Sequence, residues 1–222
     1  QVLNQFGNEV PDLDSPALLR ATVEAVNALR AQGKLLAYHD RGDGGLWATV
    51  AEMGFAGNTG VSLNVDMLVT ESTGVDDSRA DFGDSKNWAG QVGERRNELT
   101  LKALFNEELG VVLQVRTADR DAVLKPPREH GLSQHSHVIG KPNTKHTREV
   151  WRDAKAVFAA PVEQLHKTWD EVSWRIAQLR DNPAFANSEH EAIGKATGPG
   201  MHVSLTFDPK EDVAAPFIHK AR

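Results

Sequence analysis

Apolar residues recur with the period of a helix in some segments of the chain and alternate with polar residues in others. The Ser15-Pro16 pair is typical of a helix start, and Leu19, Val23 and Val26 line one face of the segment that follows. Gly33 is typical of a helix end. These features predict a first helix between the proline and the glycine.

Residues 35–39 form a short apolar run that is typical of a buried strand. Leu46, Val50 and Met53 then recur at the spacing of one helix face. After a glycine-rich turn, residues 61–65 alternate between apolar and polar, as in a half-buried strand. The pattern therefore predicts a strand, a turn, a helix and a second strand in this order.

The remaining segments continue this mixture of elements. Residues 149–159 carry two apolar runs around a short polar centre, as expected for a hairpin. The other predicted elements are a helix at 101–109, a strand at 111–115, a helix at 119–130 interrupted by Pro126 and Pro127, and a strand at 136–140. Together they predict an α+β fold with a mainly antiparallel sheet covered by helices.

A long amphipathic helix is predicted over residues 161–182. Its apolar stripe has members spaced by four, three, four and three residues: Leu165, Trp169, Val172, Ile176 and Leu179. We expect this stripe to be buried, either in the core or against another domain. Residues 70–98, with many charges and few apolar anchors, are interpreted as a polar surface excursion, and residues 183–222 as a linker.

The 222 residues carry a net charge of −6 and contain no cysteine. Negative charge argues against a nucleic-acid partner, because a polyanion would be repelled. No apolar run reaches the ~18 residues of a membrane span, and the sequence shows no secretory leader. We therefore expect a cytoplasmic protein without a membrane partner and without a cysteine nucleophile.

The turn at 40–45 carries the strongest chemical signal. Its glycines let backbone N–H groups approach an anion closely, and the following helix N-terminus attracts negative charge. Asp40 and Asp43 would repel a phosphate unless a hard divalent cation such as Mg²⁺ lies between them. The pattern is consistent with a metal-bound nucleotide. The alternative is an ordinary corner in which Asp43 caps the helix and Arg41 pairs with a carboxylate.

Other candidate ligands are weaker. Asn106, Glu107 and Glu108 could bind a hard cation, but adjacent carboxylates near a helix end are usually solvated, and we interpret them in that way. His135 and His137 share a strand face and lack a third ligand nearby, so we predict no zinc site. No P-loop motif occurs, so a nucleotide site would be of another kind.

Several sequence blocks resemble a known enzyme family. In chain order they are QFGNEVPDLD at 5–14, YHDRGDGG at 38–45, AEMGFAG at 51–57, LFNEELG at 104–110, LRDNP at 179–183 and DVAAPFI at 212–218. They resemble phosphoribosylformylglycinamidine synthase of the large, single-chain bacterial type, and they extend over nearly the whole chain. The family enzyme is several times longer, so the resemblance implies that this chain is a piece.

The resemblance implies an ATP-dependent ligase that converts formylglycinamide ribonucleotide, glutamine and ATP to formylglycinamidine ribonucleotide in de novo purine biosynthesis. It implies that Asp40 ligates Mg²⁺ and that position 42 contacts the nucleotide, ATP or ADP. The family normally has serine at position 42, whereas this chain has Gly42 and therefore lacks that hydroxyl. Because the turn resembles the family's structural ADP site, no catalytic residue is assigned to this chain.

The resemblance also implies a division of the chain. Residues 1–160 are expected to form a domain like the C-terminal lobe of aminoimidazole ribonucleotide synthetase-like proteins. A helix at 161–182 and a linker at 183–222 would lead towards a glutaminase domain. The partners would be that domain and the synthetase N-terminal lobes, and the isolated piece would be inactive. The alternative is a non-catalytic scaffold or docking module.

Overall fold

The computed structural model describes residues 12–13, 15–69, 88–198, 203–212, 214–215 and 218, with the backbone alone for 88–92. The helices are α1 (Pro16–Ala31), α2 (Gly45–Ala56), α3 (Trp88–Phe105), α4 (Arg120–Glu129), α5 (Val162–Arg180) and α6 (Pro183–Ala192). The strands are β1 (Ala37–Asp40), β2 (Gly60–Asn64), β3 (Val111–Gln114), β4 (Gly140–Asn143), β5 (Thr147–Arg152) and β6 (Lys155–Pro161).

The described strands form two sheets. β1 and β3 pair in the antiparallel direction, with Asp40 opposite Val111. The larger sheet has the order β4-β2-β5-β6, in which β2 and β5 are parallel and the two outer pairings are antiparallel. Helices pack against this sheet. The predicted α+β fold with a mainly antiparallel sheet is therefore confirmed.

The main core lies between the larger sheet and the helices α2 and α3. Leu46 and Val50 from α2 are buried with Leu63 from β2, Leu104 from α3 and Val150 from β5. Burying such side chains is the dominant favourable term in folding. Because α2 begins directly after the turn at 40–45, this core fixes the position of that turn.

A guanidinium is buried beneath α2. Arg148 of β5 donates hydrogen bonds to the carbonyl oxygens of Thr59 (2.7 Å) and Ala51 (3.0 Å), and its Cζ lies 5.4 Å from the centre of the Phe55 ring. Burial lowers the pKa of Arg148 to about 10. A Cβ at Gly54 would overlap the guanidinium, so glycine at this position makes room for it.

Several local predictions are confirmed. Ser15 caps α1, because its Oγ accepts a hydrogen bond from the amide of Leu18 (3.4 Å), and Gly33 follows the helix with a φ of +64°. The predicted hairpin is formed by β5 and β6, and its connecting residues Asp153 and Ala154 both have positive φ. Helix α2 and strands β2 and β3 also lie where the pattern placed them.

Part of the predicted polar excursion at 70–98 is helical instead. Helix α3 runs from Trp88 to Phe105 and so includes residues 88–98 of the predicted excursion. It ends four residues before Leu109, the last residue of the helix predicted at 101–109. Residues 70–87 lie outside the described residues. The guanidinium of Arg96 donates two hydrogen bonds to the carboxylate of Asp153, at 2.7 and 3.1 Å. This contact joins residues distant in sequence, so local composition gave no sign of it.

Two predictions between β3 and β5 are wrong. Helix α4 continues through Pro126 and Pro127, because it packs along α1 and buries Val123 with the first proline, which offsets the missing backbone hydrogen bonds. The strand predicted at 136–140 is displaced. Strand β4 begins at Gly140, and the amide of Asn64 still donates to the carbonyl oxygen of Ile139 at 2.7 Å. Because β2 ends at Asn64 and a 3-10 turn follows at 66–68, β2 offers residues 136–138 no pairing partner.

The linker predicted at 183–222 begins with a helix. Asn182 caps α6 by accepting a hydrogen bond at Oδ1 from the amide two residues later (2.9 Å), and Pro183 is the first helical residue. The helix packs on α5, where the rings of His190 and Trp174 stack with centroids 4.1 Å apart. The same cap-proline signal starts α1, but the residues after Pro183 are mostly polar or small and do not show a clear apolar face.

Helix α5 is confirmed, but of its apolar stripe, which was expected in the core or against another domain, this chain places only the first member in the core. Leu165 is half-buried against Phe55 and Val162. The other four members are exposed: Trp169 (57%), Val172 (70%), Ile176 (55%) and Leu179 (90%).

Among the described residues, none of the helices combines the length and the apolar character that a membrane span requires.

Candidate nucleotide-binding turn

The turn at 40–45 joins the end of β1 to the start of α2. Antiparallel pairing with β3 holds the end of β1, and the amide of Arg41 extends that pairing by donating to the carbonyl oxygen of Gly110 at 2.8 Å. The amide of Gly45 donates to the carbonyl oxygen of Gly42 at 2.9 Å and closes the turn. Both ends of the turn are thus anchored by backbone hydrogen bonds.

The side chain of Arg41 ties the turn to the segment that follows α3. Its Nε donates to the carbonyl oxygen of Glu108, and its Nη2 donates to that of Leu109 at 3.1 Å. Burial lowers the pKa of the Arg41 guanidinium, and the nearby Glu108 carboxylate opposes this effect. Both hydrogen bonds go to peptide carbonyl oxygens. The main contacts of Arg41 are therefore not the pairing with a carboxylate that the alternative expected.

Two glycines adopt backbone conformations that other residues rarely take. Gly44 has a φ of +80° and Gly45 a φ of +63°. A Cβ at Gly45 would lie 2.7 Å from backbone atoms of Phe105 and Asn106, so the start of α2 and the end of α3 approach closely here. Gly44 is the N-cap of α2, and no side chain caps that helix. The alternative in which Asp43 caps the helix is therefore wrong.

Glu107 was interpreted as solvated, and the structure brings it to the turn. The amide of Gly44 donates to Glu107 Oε1 at 2.9 Å, while the amide of Glu108 donates to Asn106 Oδ1 at 2.6 Å. The contact between Gly44 and Glu107 joins positions 63 residues apart, which a local pattern cannot reveal. The sequence shows only that oxygen-bearing side chains cluster at 106–108.

The two predicted site residues lie on the open side of the turn. The Asp40 side chain is 78% exposed, and its Oδ1 lies 3.9 Å from Nδ1 of His39. That ring is held in place, because its Nε2 lies 2.9 Å from Oε2 of Glu52 and its Nδ1 lies 2.7 Å from the carbonyl oxygen of Asp40. Gly42 is exposed, and a Cβ added to it would meet nothing within 4 Å.

The oxygen donors at this turn suit a hard cation. Among the described residues, no three acidic, histidine or cysteine side chains lie close enough together to hold a metal ion by themselves. Mg²⁺ commonly keeps several waters and binds through one or two carboxylates together with phosphate oxygens. The exposed carboxylate of Asp40 fits that mode of binding.

The two sheets and the helices that pack on them define an α+β domain, in which a glycine-rich acidic turn joins β1 to α2. Residues 2–151 match the family described as AIR synthase related protein, C-terminal domain. Because this match covers more than half of the chain, the chain belongs to this domain family.

Solved structures with the same fold come from Thermotoga maritima. PurLQS matches with a TM-score of 0.50 and 16% identity over 68% of this chain and 22% of its own. PurL complexed with FGAR matches with a TM-score of 0.50 and 17% identity over 68% of this chain and 21% of the solved chain. PurL complexed with AMPPCP matches with a TM-score of 0.50 and 17% identity over 69% of this chain and 22% of the solved chain. The chain thus spans about a fifth of the length of these solved chains. At this identity the likeness establishes the fold.

Proposed function

We propose that this chain is part of an ATP-dependent ligase that converts formylglycinamide ribonucleotide, glutamine and ATP to formylglycinamidine ribonucleotide. In this proposal the turn at 40–45 holds a magnesium-bound nucleotide. The observation that carries the proposal is an exposed Asp40 carboxylate on a glycine-rich turn whose two ends are anchored by backbone hydrogen bonds. Membership of the AIR synthase related family and the sequence resemblance support it.

Three residues of the turn have separate tasks in this proposal. Asp40 holds Mg²⁺, which when bound neutralises the negative charge of the phosphate oxygens. Gly42 offers its amide and an unobstructed approach, because no atom lies within 4 Å of where its Cβ would be. Arg41 acts as a positioning residue, since its hydrogen bonds to the backbone of Glu108 and Leu109 hold the turn in place.

Glu107 limits where a phosphate can bind. Its carboxylate already accepts a hydrogen bond from the amide of Gly44, so this amide is not available to a phosphate. A bound phosphate would therefore contact the turn on the side of Asp40 and Gly42. A carboxylate at this point would also repel a phosphate that lacks a cation. Binding of the nucleotide should therefore depend on Mg²⁺.

Calorimetric titration of Mg-ADP tests the proposal, using a protein that includes the preceding lobe of the synthetase. Wild type should bind Mg-ADP and lose binding in EDTA, and Asp40→Asn should weaken binding by at least about tenfold, or 1.4 kcal/mol. Asp121→Asn is the matched control, because Asp121 is an exposed carboxylate in the first turn of α4. Metal-dependent binding that survives Asp40→Asn would remove this carboxylate from the site.

The second candidate is a non-catalytic scaffold that docks other domains. It is favoured by one observation, the exposed apolar residues of α5. In that case the acidic turn is only a corner, and neither wild type nor Asp40→Asn would bind Mg-ADP in the same titration.

A further inference from the structure

The exposed face of α5 has the spacing of a coiled-coil seam. We define the α5 seam as Trp169, Val172, Ile176 and Leu179, which follow one another at intervals of three, four and three residues. These intervals place them at alternating a and d positions of a heptad repeat. More than half of each side chain is exposed. Contiguous exposed apolar residues of this kind mark interaction surfaces.

The opposite face of α5 is already occupied by α6. Asp170 accepts a hydrogen bond from His190 Nδ1 at 2.8 Å, with the imidazole in the tautomer that places hydrogen on that nitrogen. The side-chain amide oxygen of Asn187 accepts hydrogen bonds from Trp174 Nε1 (3.0 Å) and Gln178 Nε2 (2.6 Å). These contacts use the b, f and c positions of the heptad. They hold α5 against α6 and leave the seam uncovered by α6.

A cavity lies at the N-terminal end of the seam. Its volume is about 400 Å³, and it is lined by Glu52, Phe55, Ala56, His166 and Trp169. The rings of Phe55 and His166 stack with centroids 4.4 Å apart, and Trp169 Nε1 donates to Oε1 of Glu52 at 3.0 Å. The carboxylate is thereby paired and the walls are mainly aromatic. The cavity suits one large apolar side chain of a partner.

The charges beside the seam select the partner. The flanking e and g positions between residues 166 and 180 carry Arg175 and Arg180 and no carboxylate. Their nearest acidic partners, Glu171 (3.7 Å) and Asp181 (2.7 Å), lie outside those flanking positions. In a parallel pair of two copies, Arg175 would face Arg180 of the other copy, and in an antiparallel pair it would face its own equivalent. Self-association is therefore opposed by like charges, and acidic flanks are complementary.

We propose that the α5 seam docks an amphipathic helix with apolar residues at heptad spacing and acidic residues beside them. One of its apolar side chains fills the cavity next to Trp169. The docking surface is separate from the candidate nucleotide turn. The α5 seam itself lies beyond residue 151, where the match to the family domain ends, whereas the cavity is shared with α2.

Two synthetic helical peptides of about three heptads provide the probe. Both carry leucine at the a and d positions, and their e and g positions are glutamate in one and lysine in the other. Fluorescence anisotropy of the labelled peptides is measured against the 222-residue chain at low salt. The glutamate peptide should bind at least about tenfold more tightly than the lysine peptide.

Three variants make the test specific. Val172→Glu should weaken binding of the glutamate peptide by at least about tenfold. Val23→Glu is the matched control, because Val23 is also an exposed valine on a helix and lies far along the chain from the seam. The double variant Arg175→Glu with Arg180→Glu should reverse the preference between the two peptides. These residues are exposed, and circular dichroism checks that each variant keeps its helices.

The proposal is overturned if the two peptides bind equally, if the charge-reversed variant keeps the original preference, or if Val172→Glu binds as wild type does. It is also overturned if sedimentation velocity shows a dimer of the 222-residue chain that Val172→Glu dissociates. That result would identify a second copy as the occupant of the seam.

Discussion

The glycines of the turn at 40–45 are not equivalent. Gly42 is exposed with open space where a side chain would begin, and its φ lies outside the left-handed region. Gly45 has a φ of +63°, and a Cβ there would collide with the end of α3. A side chain is therefore tolerated at one position and excluded at the other, within a distance of three residues.

This difference predicts the effect of Gly42→Ser, which restores the serine that is typical of the resembled family. The new hydroxyl can donate to a phosphate oxygen, and one such hydrogen bond contributes about 0.5–1.5 kcal/mol. We expect the affinity for Mg-ADP to rise by roughly two- to tenfold, with no loss of stability. Calorimetry and thermal unfolding of a protein that includes the preceding lobe measure both effects.

Gly45→Ser is the matched control for that prediction. It introduces the same side chain at a position with positive φ and no space, so it should lower the free energy of unfolding by more than about 2 kcal/mol. Equal stability of the two variants in urea unfolding would contradict this account of the turn. Unchanged affinity in Gly42→Ser would place the nucleotide elsewhere.

Glu149 gives a prediction about pH at the same scale. Its carboxylate on β5 accepts hydrogen bonds from Trp151 Nε1 (2.9 Å), Lys145 Nζ (3.2 Å), Ser62 Oγ (3.0 Å) and Thr147 Oγ1 (3.2 Å). These donors lower the pKa of Glu149 from 4.5 to about 2. A folded-state pKa below the unfolded value gives stability that is present above pH 4.5 and is lost as the pH falls towards 2.

Replacement of Glu149 by glutamine should therefore remove part of the acid sensitivity. Urea unfolding is compared for wild type and Glu149→Gln between about pH 2 and pH 6. The stability advantage of wild type should be largest near the upper limit and should shrink at the lower one. Glu191→Gln, at an exposed position of α6, serves as the control. A constant difference across this range would show that the carboxylate is not held in its charged form.

At the scale of elements, the sequence predicts what local chemistry determines. The Ser15-Pro16 signal and the alternation around 61–65 gave α1 and β2, because capping groups and strand periodicity act over a few residues. Arg96, in the middle of α3, contacts Asp153, which lies 57 residues away in the sequence. The continuity of α4 depends on its packing along α1. Neither contact can be inferred from a single stretch of sequence.

The candidate site divides in the same way. The strand, turn and helix that position Asp40 and Gly42 follow from an apolar run, glycines and helical spacing. Arg41 donates to the backbone of Glu108, and the amide of Gly44 donates to Glu107. Both acceptors lie in the segment that follows α3, far along the chain, so only the structure reveals these contacts. Local pattern thus predicted where the turn lies, and tertiary contacts determine how it is held.

Helix α6 provides a prediction at this scale. Asn182 is its N-cap, and loss of such a cap costs about 1 kcal/mol of helix stability. We expect Asn182→Ala to accelerate amide hydrogen exchange of residues 183–192 by roughly fivefold. Asn182→Ser is the control, because serine also caps helices and should leave exchange nearly unchanged. Equal exchange in both variants would mean that contacts with α5 alone determine the stability of α6.

At the scale of the whole molecule, two surfaces face away from the main core. One is the turn at 40–45, with the exposed Asp40 carboxylate, and the other is the α5 seam. They are connected through Glu52, which lies beside His39 at the end of β1 and accepts a hydrogen bond from Trp169 at the start of the seam. The carboxylate of Glu52 is therefore shared by the two surfaces, and a partner that binds at either surface would lie near it.

The proposed ligase activity requires more than this domain. The turn offers a carboxylate and backbone amides, and the chain spans about a fifth of the solved chains with the same fold. Phosphoryl transfer depends on positioning both substrates and on several cations that neutralise charge. We therefore expect the 222-residue chain to form no formylglycinamidine ribonucleotide when it is given the substrate, ATP, Mg²⁺ and ammonium.

In the proposed parent ligase, Asp40→Asn should act on stability more than on turnover, because the sequence resemblance implies that this turn is a structural nucleotide site. With Mg-ADP at about one hundred times the wild-type dissociation constant, wild type gains about 2.7 kcal/mol of unfolding free energy, whereas a variant that binds tenfold more weakly gains only about 1.4 kcal/mol. Turnover per folded molecule should change by less than about twofold, or roughly 0.4 kcal/mol of activation free energy. Product formation by the 222-residue chain, or a large loss of turnover in fully folded Asp40→Asn, would mean that this turn contributes directly to the chemistry.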